Sequence, residues 1–328
     1  MQVKWDRFKG ITAAIGFLIM IFDSSRALAG ARSGLELCIK KVIPSLFPFF
    51  VLSAIFTSSY RNNSIHFAEL LAKPLGIPKN GISVMIPALM GGYPVGAKCI
   101  GDLYRQKSIS KSEAERLLSF CNNAGPAFLF GMVSGFFPKK QTILLLWMIQ
   151  LSSAVLTALA IPYRPDKNPL HPPDIREKQA NVMIASAKAM CQVCCWVILF
   201  RIIITFLEGW CLWLIPDRMQ PLWIGFLELT NGCCELWKIE DIATRFIVCS
   251  CILAFGGICV LLQTASVIQG LPISCYFKGK ILQTLFSFLL SCATVLDNGL
   301  IYAAIIPVLL FVFRKSKNKY SNPGVLPV

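Results

Sequence analysis

The sequence predicts an all-α fold, a polytopic helical membrane protein whose helices include broken or re-entrant segments. Hydrophobic residues make up 55% of the 328 positions. Charged residues make up only 15%, whereas they are roughly 25% of ordinary soluble domains. Apolar runs close to the length of a bilayer span recur along the chain, most clearly at 143–161, 193–207, 247–268 and 300–313. Glycine and proline interrupt other hydrophobic stretches, which predicts the broken helices.

The chain has a net charge of +15, and part of it lies at the two ends. Basic residues precede the first apolar run and follow the last one, at Lys4, Arg7, Lys9, Arg314, Lys315, Lys317 and Lys319. Positive charge beside membrane spans favours the cytoplasmic side, so we expect both termini in the cytoplasm of a multi-pass cell-membrane protein. The expected partner of this charge is the anionic surface of the lipid bilayer, and nucleic acid is not expected.

The N-terminus resembles a secretory signal, with an apolar run at 11–22 before Ala27-Leu28-Ala29. Because many further spans follow, we expect an uncleaved first helix. Many of the 14 cysteines lie in apolar helical runs, where free cysteine behaves as a small hydrophobe. The two histidines, His66 and His171, lie in polar connectors. The sequence therefore predicts no metal site, no disulfide framework and no cofactor.

The first interruption follows a short apolar segment, 82–90, that is only about half a bilayer span long. It reads Gly91-Gly92-Tyr93-Pro94-Val95-Gly96-Ala97-Lys98. Glycine adopts backbone conformations closed to other residues, and proline stops a helix from continuing. Unpaired backbone groups inside a bilayer survive only against protein or beside a water-filled cavity, so this break indicates a polar site near the membrane midplane.

The second interruption follows a helix that Ser110 and Glu113 should start as a capping box. We expect this helix to present a charged face with Lys111, Glu115 and Arg116. It should stop at Asn122 and Asn123, because Pro126 pushes Gly125 out of helical geometry. A second half-helix should then follow at 127–137.

These features divide the chain into five parts. They are an N-terminal transmembrane helix and amphipathic segment (1–43), a first repeat (44–162), a polar proline-rich loop (163–180), a second repeat with C-terminal helices (181–313) and a basic tail (314–328). The second repeat is indicated by glycine-containing segments at 228–232 and 254–257, which stand where the two interruptions stand in the first. Internal duplication with a site at the repeat interface is a recurring plan in transporters.

Each candidate site residue has more than one interpretation. Asn122 and Asn123 can offer amides to a polar solute, or can simply cap a helix end. The backbone of Gly91 and Gly92 is a candidate for ligand contact because Pro94 enforces unwinding, whereas close packing is favoured for Gly96. Lys98 can neutralise an anionic solute, but we favour the interpretation that its side chain extends to the lipid headgroups.

The second half of the chain offers further polar candidates within apolar sequence. Gln263 is the one that we place in the site. Arg201 and Glu208 should share a helix face, and Glu228 and Asp297 are flanked by apolar residues. Ionisable residues at membrane depth are functional hypotheses by default.

The interruption motifs and their flanks resemble the family of the sporulation integral membrane protein YlbJ. The residues that carry the resemblance are Gly91 to Lys98, Ser110 to Arg116, Cys121 to Pro126, Pro44 to Phe49, and Phe255 to Ile258. The resemblance covers nearly the whole chain. It implies two Gate-like repeats of the nucleoside-recognition type, and a role in spore cortex formation in endospore-forming bacteria. It implies no particular solute, since kinship of domains is a fold-level analogy.

Two functional hypotheses follow. In the first, a transporter or channel-like permease binds a small polar solute or ion between the broken helices, with Asn122, Asn123 and the backbone of 91–96 in contact with it. In the second, the chain is a structural or assembly protein of the spore envelope that holds other sporulation membrane proteins. We do not expect an enzyme, because the sequence has no nucleotide-binding glycine loop, metalloprotease motif or nucleophile elbow.

Overall fold

The computed structural model describes residues 2–59, 91–161 and 181–296, with a few single positions between 75 and 88. The predicted loop at 163–180, Asp297, the apolar run at 300–313 and the basic tail lie outside the described residues. Most of the half-helix expected at 82–90 also lies outside them.

Every regular element in the described part of the chain is helical, as the sequence predicts. In chain order the α-helices are α1 (Gln2–Phe22), α2 (Ser24–Leu37), α3 (Ile43–Ser59), α4 (Val95–Arg105), α5 (Lys111–Leu118), α6 (Pro126–Gly131), α7 (Lys140–Ala160), α8 (Val182–Trp210), α9 (Gln220–Leu227), α10 (Leu229–Cys234), α11 (Ile242–Phe255), α12 (Gly257–Val267) and α13 (Ile273–Leu296). A π-helical turn, Cys38–Val42, joins α2 to α3. Short 3₁₀ helices lie at Val133–Phe136, Leu212–Leu214, Asp217–Met219 and Leu236–Lys238.

Four segments of the described chain are long and apolar enough to cross a bilayer. They are α7, α8, the pair α11–α12 (Ile242–Val267) and α13. Large apolar side chains stay exposed on the outer faces of these helices, for example Leu199 on α8 and Leu285 on α13. Such faces suit lipid rather than water, so the fold is that of a multi-pass membrane protein.

Helix α2 packs closely against α8 through two glycines one turn apart. A Cβ atom added at Gly30 would lie 2.8 Å from the Cα of Ile202, and one at Gly34 would lie 2.9 Å from the Cα of Ile198. Small residues spaced by four let membrane helices approach backbone to backbone, which is how such helices gain packing energy without a hydrophobic driving force.

We therefore expect Gly34→Val to lower the free energy of unfolding by about 2 kcal/mol, because overpacking forces the helices apart. Ala29→Val is the matched control, since Ala29 is exposed on the same helix. Thermal unfolding in detergent micelles measures both variants. Equal melting temperatures would show that the close contact between α2 and α8 contributes nothing.

The capping box at the start of α5 is present as predicted. Ser110 Oγ accepts a hydrogen bond from the backbone N–H of Glu113, and the Glu113 carboxylate accepts one from the backbone N–H of Ser110. The expected charged face of this helix is wrong in one respect, because Arg116 is buried. Its guanidinium donates to the carbonyls of Leu75, Ala158 and Ile161. The end of α7 leaves carbonyls without helical partners, and the buried arginine satisfies them.

Helix α13 packs against α5, α7, α11 and α12. Its inward face is polar, with Lys280, Gln283, Ser287 and Ser291 all at most 1% exposed. Ser287 Oγ lies 2.7 Å from Ser250 Oγ on α11, and Gln150 Nε2 on α7 donates to the Ser250 carbonyl over 3.0 Å. These hydrogen bonds hold α7, α11 and α13 together in an apolar medium.

Candidate functional site: a polar junction between broken helices

The first break, at Gly91 to Pro94, leads into α4 and is entirely buried. Gly92 has φ +73°, a left-handed conformation that glycine adopts without strain. A Cβ atom at Gly92 would lie 3.1 Å from the backbone nitrogen of Gly125. The two interruptions predicted from the sequence of the first half are therefore in direct contact.

The second break separates α5 from α6, and it contains Asn122 and Asn123, which are at most 1% exposed. The helix ends earlier than predicted, at Leu118, and a turn runs from Ser119 to the asparagines. Asn123 closes this turn by donating from Nδ2 to the carbonyl of Phe120 over 2.7 Å. Pro126 then begins α6 at its first turn, as its missing N–H allows.

The second half of the chain is interrupted at the two places where glycine-containing segments predicted it. Glu228 separates α9 from α10, and Gly256 separates α11 from α12. Gly256 and Gly257 have φ +82° and +86°. A Cβ atom at Gly256 would lie 3.2 Å from Tyr93 Cζ, so a break of the second half touches the first break.

Lys280 of α13 joins these breaks through a buried hydrogen-bond cluster. Its ammonium lies 3.0 Å from Tyr93 Oη, 3.1 Å from Asn123 Oδ1 and 2.8 Å from Gln283 Oε1. Tyr93 Oη donates in turn to the Leu253 carbonyl over 3.1 Å, near the C-terminal end of α11. We call Lys280, Tyr93, Asn123 and Gln283 the lysine cluster. Its members come from both halves of the chain, so it links elements that are far apart in sequence.

Asn122 makes a separate link between α4 and α12. Its Oδ1 accepts a hydrogen bond from the Ala97 backbone over 3.3 Å, and its Nδ2 donates to Thr264 Oγ1 over 3.1 Å. The amides of both asparagines are thus engaged by protein groups. Their direct contact with a solute stays a prediction.

A small cleft lies beside the lysine cluster and opens between the two halves. Its cavity volume is about 30 Å³, and its lining residues are Leu46, Gly92, Tyr93, Ala124, Gly125, Phe128, Val193, Val197, Glu228, Leu229, Val260 and Gln263. A cavity needs at least about 10–15 Å³ to hold a water molecule, so this cleft has room for one. The wall is mostly apolar, and Glu228 and Gln263 are the polar side chains that join Tyr93 there.

The structure brings most of the predicted site residues to this junction. Gly92, Tyr93, Gly125 and Gln263 line the cleft, and Asn122 and Asn123 lie next to it in the hydrogen-bond network. Gly91 and Pro94 are buried in the first break. Gly96 has a packing role, as favoured, because a Cβ atom there would lie 2.3 Å from the Cys121 carbonyl oxygen. Lys98 is half-buried on α4 and does not line the cleft.

Sequence reasoning missed Lys280 and Gln283, which hold the junction together. A signal was present, because the polar residues at 280, 283, 287 and 291 recur at helical spacing within an otherwise apolar segment. Arg201 and Glu208, which were expected to share a face, pair with each other over 2.9 Å. Arg201 also donates to Ser33 Oγ of α2 over 3.2 Å, so this ion pair braces the contact between α2 and α8.

The long apolar helices and the buried polar junction between their breaks define a polytopic α-helical integral membrane protein. The chain is similar to the sporulation integral membrane protein YlbJ of Bacillus subtilis (strain 168). The two sequences are 26% identical over an alignment of 319 positions, and the alignment covers 82% of this chain and 77% of that protein. The resemblance to the YlbJ family inferred from the motifs is thereby confirmed. No protein-family model matches the chain, and no solved structure matches it.

Proposed function

We propose that this chain is a sporulation membrane protein, needed for spore cortex formation, that binds a small polar solute in the cleft and moves it across the membrane. The observation that carries the proposal is the convergence of the helix breaks on one cleft. Irregular backbone at membrane depth is costly unless it lines a cavity or is buried in protein, and in transporters it forms the solute site. The name of the Bacillus subtilis relative supports the assignment to sporulation.

In this proposal the residues that line the cleft and the residues of the lysine cluster have different tasks. Gly92, Gly125, Glu228 and Gln263 face the solute, because they line the cleft. The lysine cluster, of which Tyr93 lines the cleft, fixes the geometry of the breaks, since its hydrogen bonds run between protein groups. Movement of solute requires these breaks to shift relative to one another, and bundles of this kind shift largely as rigid bodies.

The proposal predicts that filling the cleft abolishes transport without unfolding the protein. Val193→Phe places a ring where a water-sized volume is free, so we expect solute flux into liposomes to fall at least tenfold. Leu199→Phe is the matched control, because Leu199 lies on the same helix and is 46% exposed on its outer face. The assay screens amino acids, nucleosides, sugars and small ions for flux through the purified, reconstituted chain.

Spore heat resistance in an endospore-forming host that depends on this chain gives the second readout. We expect Val193→Phe to impair it and Leu199→Phe to leave it unchanged. A Val193→Phe chain that folds and fully supports sporulation would contradict a transport role, and so would the absence of flux for every solute in the screen.

The second candidate is an assembly protein of the spore envelope, which one observation favours. The amides of Asn122 and Asn123 are engaged by protein groups, as in a polar core that serves only the fold. Under this alternative, filling the cleft has no effect on sporulation, whereas cross-linking recovers a stable membrane-protein partner. We place both candidates outside the enzymes, in line with the missing catalytic motifs.

A further inference from the structure

Among the described residues that line the cleft, Glu228 is the one with a charged side chain. It is 1% exposed. Its carboxylate accepts hydrogen bonds from the backbone N–H groups of Thr230 and Asn231, over 3.0 and 2.7 Å, and from Asn231 Nδ2 over 2.6 Å. All these donors are neutral. Within the part of the chain that the structure describes, none of the ion pairs involves Glu228.

A buried carboxylate without a cation next to it is costly. Hydrogen bonds solvate its oxygens, but they do not cancel its charge, and ionisable residues at membrane depth normally pair or face an ion pathway. Lys280 does not fill this role, because its acceptors are Tyr93, Asn123 and Gln283. In its ionised form Glu228 therefore faces a cleft whose described lining includes no basic side chain.

A second polar side chain points to the same place. Gln263 of α12 is 3% exposed and also lines the cleft. Its Nε2 lies 3.2 Å from Cys259 Sγ, a weak acceptor. The described residues donate no hydrogen bond to its amide oxygen, which can serve as a neutral oxygen ligand. A carboxylate and an amide oxygen are the donor types that hard cations prefer.

We propose that Glu228 and Gln263 form a binding site for one small monovalent cation within the solute cleft. The inference rests on the proposed function and names the cation that occupies its cleft. The cavity of about 30 Å³ holds one species of the size of water, such as Na⁺, K⁺ or NH₄⁺. One carboxylate balances a single positive charge.

The test is thermal unfolding of the purified full chain in lipid nanodiscs. NaCl, KCl and NH₄Cl are titrated separately against N-methyl-D-glucamine chloride at constant ionic strength, because that bulky cation cannot enter the cleft. We expect a saturable rise in melting temperature with at least one small cation, and the three salts identify which one binds.

Variants assign the effect to the site. Glu228→Gln should abolish the rise, since it removes the charge. Its single oxygen keeps the hydrogen bonds of one carboxylate oxygen, either the one from Thr230 or those from Asn231, and the second variant Gln263→Leu leaves all of them in place. Glu228→Asp should retain a weaker rise, and Gln263→Leu should raise the half-saturating concentration about tenfold, which corresponds to about 1.4 kcal/mol. Glu235→Gln is the control, because Glu235 pairs with Lys238 and does not line the cleft.

The outcomes separate this inference from the proposed function. Identical curves for the small cations and N-methyl-D-glucamine would overturn the cation site, and so would an undiminished rise in Glu228→Gln or, if that variant does not fold, in Gln263→Leu. Solute flux that is independent of these cations would overturn the inference while leaving transport in place. Saturable stabilisation that depends on Glu228, without flux of any solute, would support the cation site and count against transport.

Discussion

Replacing Lys280 by methionine is expected to lower the free energy of unfolding by about 3 kcal/mol, and to impair any function that depends on the breaks. Methionine is unbranched like lysine but is one atom shorter, so it replaces the apolar stem without the ammonium and donates no hydrogen bond. Gln283 Oε1 would lose a donor at 2.8 Å, and Tyr93 Oη would lose one at 3.0 Å, in a buried region. Leaving a buried acceptor without its partner costs about 1–3 kcal/mol, whereas Asn123 Oδ1 keeps the hydrogen bond that Gln283 donates to it.

The matched control is Lys278→Met, which changes the same residue type on the same helix. Lys278 is exposed, so its replacement should change the free energy of unfolding by no more than about 0.5 kcal/mol. Chemical or thermal unfolding in micelles gives the stability, and spore heat resistance gives the function. If the two variants have the same free energy of unfolding, the lysine cluster does not stabilise the junction, and its hydrogen bonds do not hold the breaks in place.

The breaks themselves could be predicted from sequence, because their causes are local. Gly92 and Gly256 adopt positive φ, and Pro126 begins a helix, whatever surrounds them. The capping box at Ser110 and Glu113 was predictable for the same reason, since both partners lie within one turn. The long apolar helices follow from composition alone.

The partners of the breaks depend on packing between distant segments, and sequence patterns do not encode these pairings. The hydrogen bond from Lys280 to Asn123 joins residues 157 positions apart. Asparagine amides both donate and accept, so a helix cap and a solute contact are equally consistent with the sequence at Asn122. Arg116 was placed on the wrong face because its partners are carbonyls at the end of α7, which only the tertiary fold brings near it.

Replacing Gly279 by alanine is expected to destabilise the fold by about 3 kcal/mol, at the upper end of what overpacking by one methyl group costs. The added Cβ atom would lie 2.0 Å from the carbonyl oxygen of Ser119 and 2.7 Å from its carbonyl carbon. These are backbone atoms, which cannot rotate away as a side-chain tip can. Helix α13 must therefore withdraw from the turn that precedes Asn122 and Asn123, and Lys280, the next residue, moves with it.

The control for this prediction is Gly16→Ala on α1, where an added Cβ atom meets nothing within 4 Å. There the substitution should leave stability unchanged or raise it by up to about 1 kcal/mol, because alanine is the better helix former. The same gain is available at position 279, so the measured loss understates the steric cost. An unchanged melting temperature in Gly279→Ala would mean that α13 does not approach Ser119 so closely, and the position of Lys280 between the breaks would then lose its structural basis.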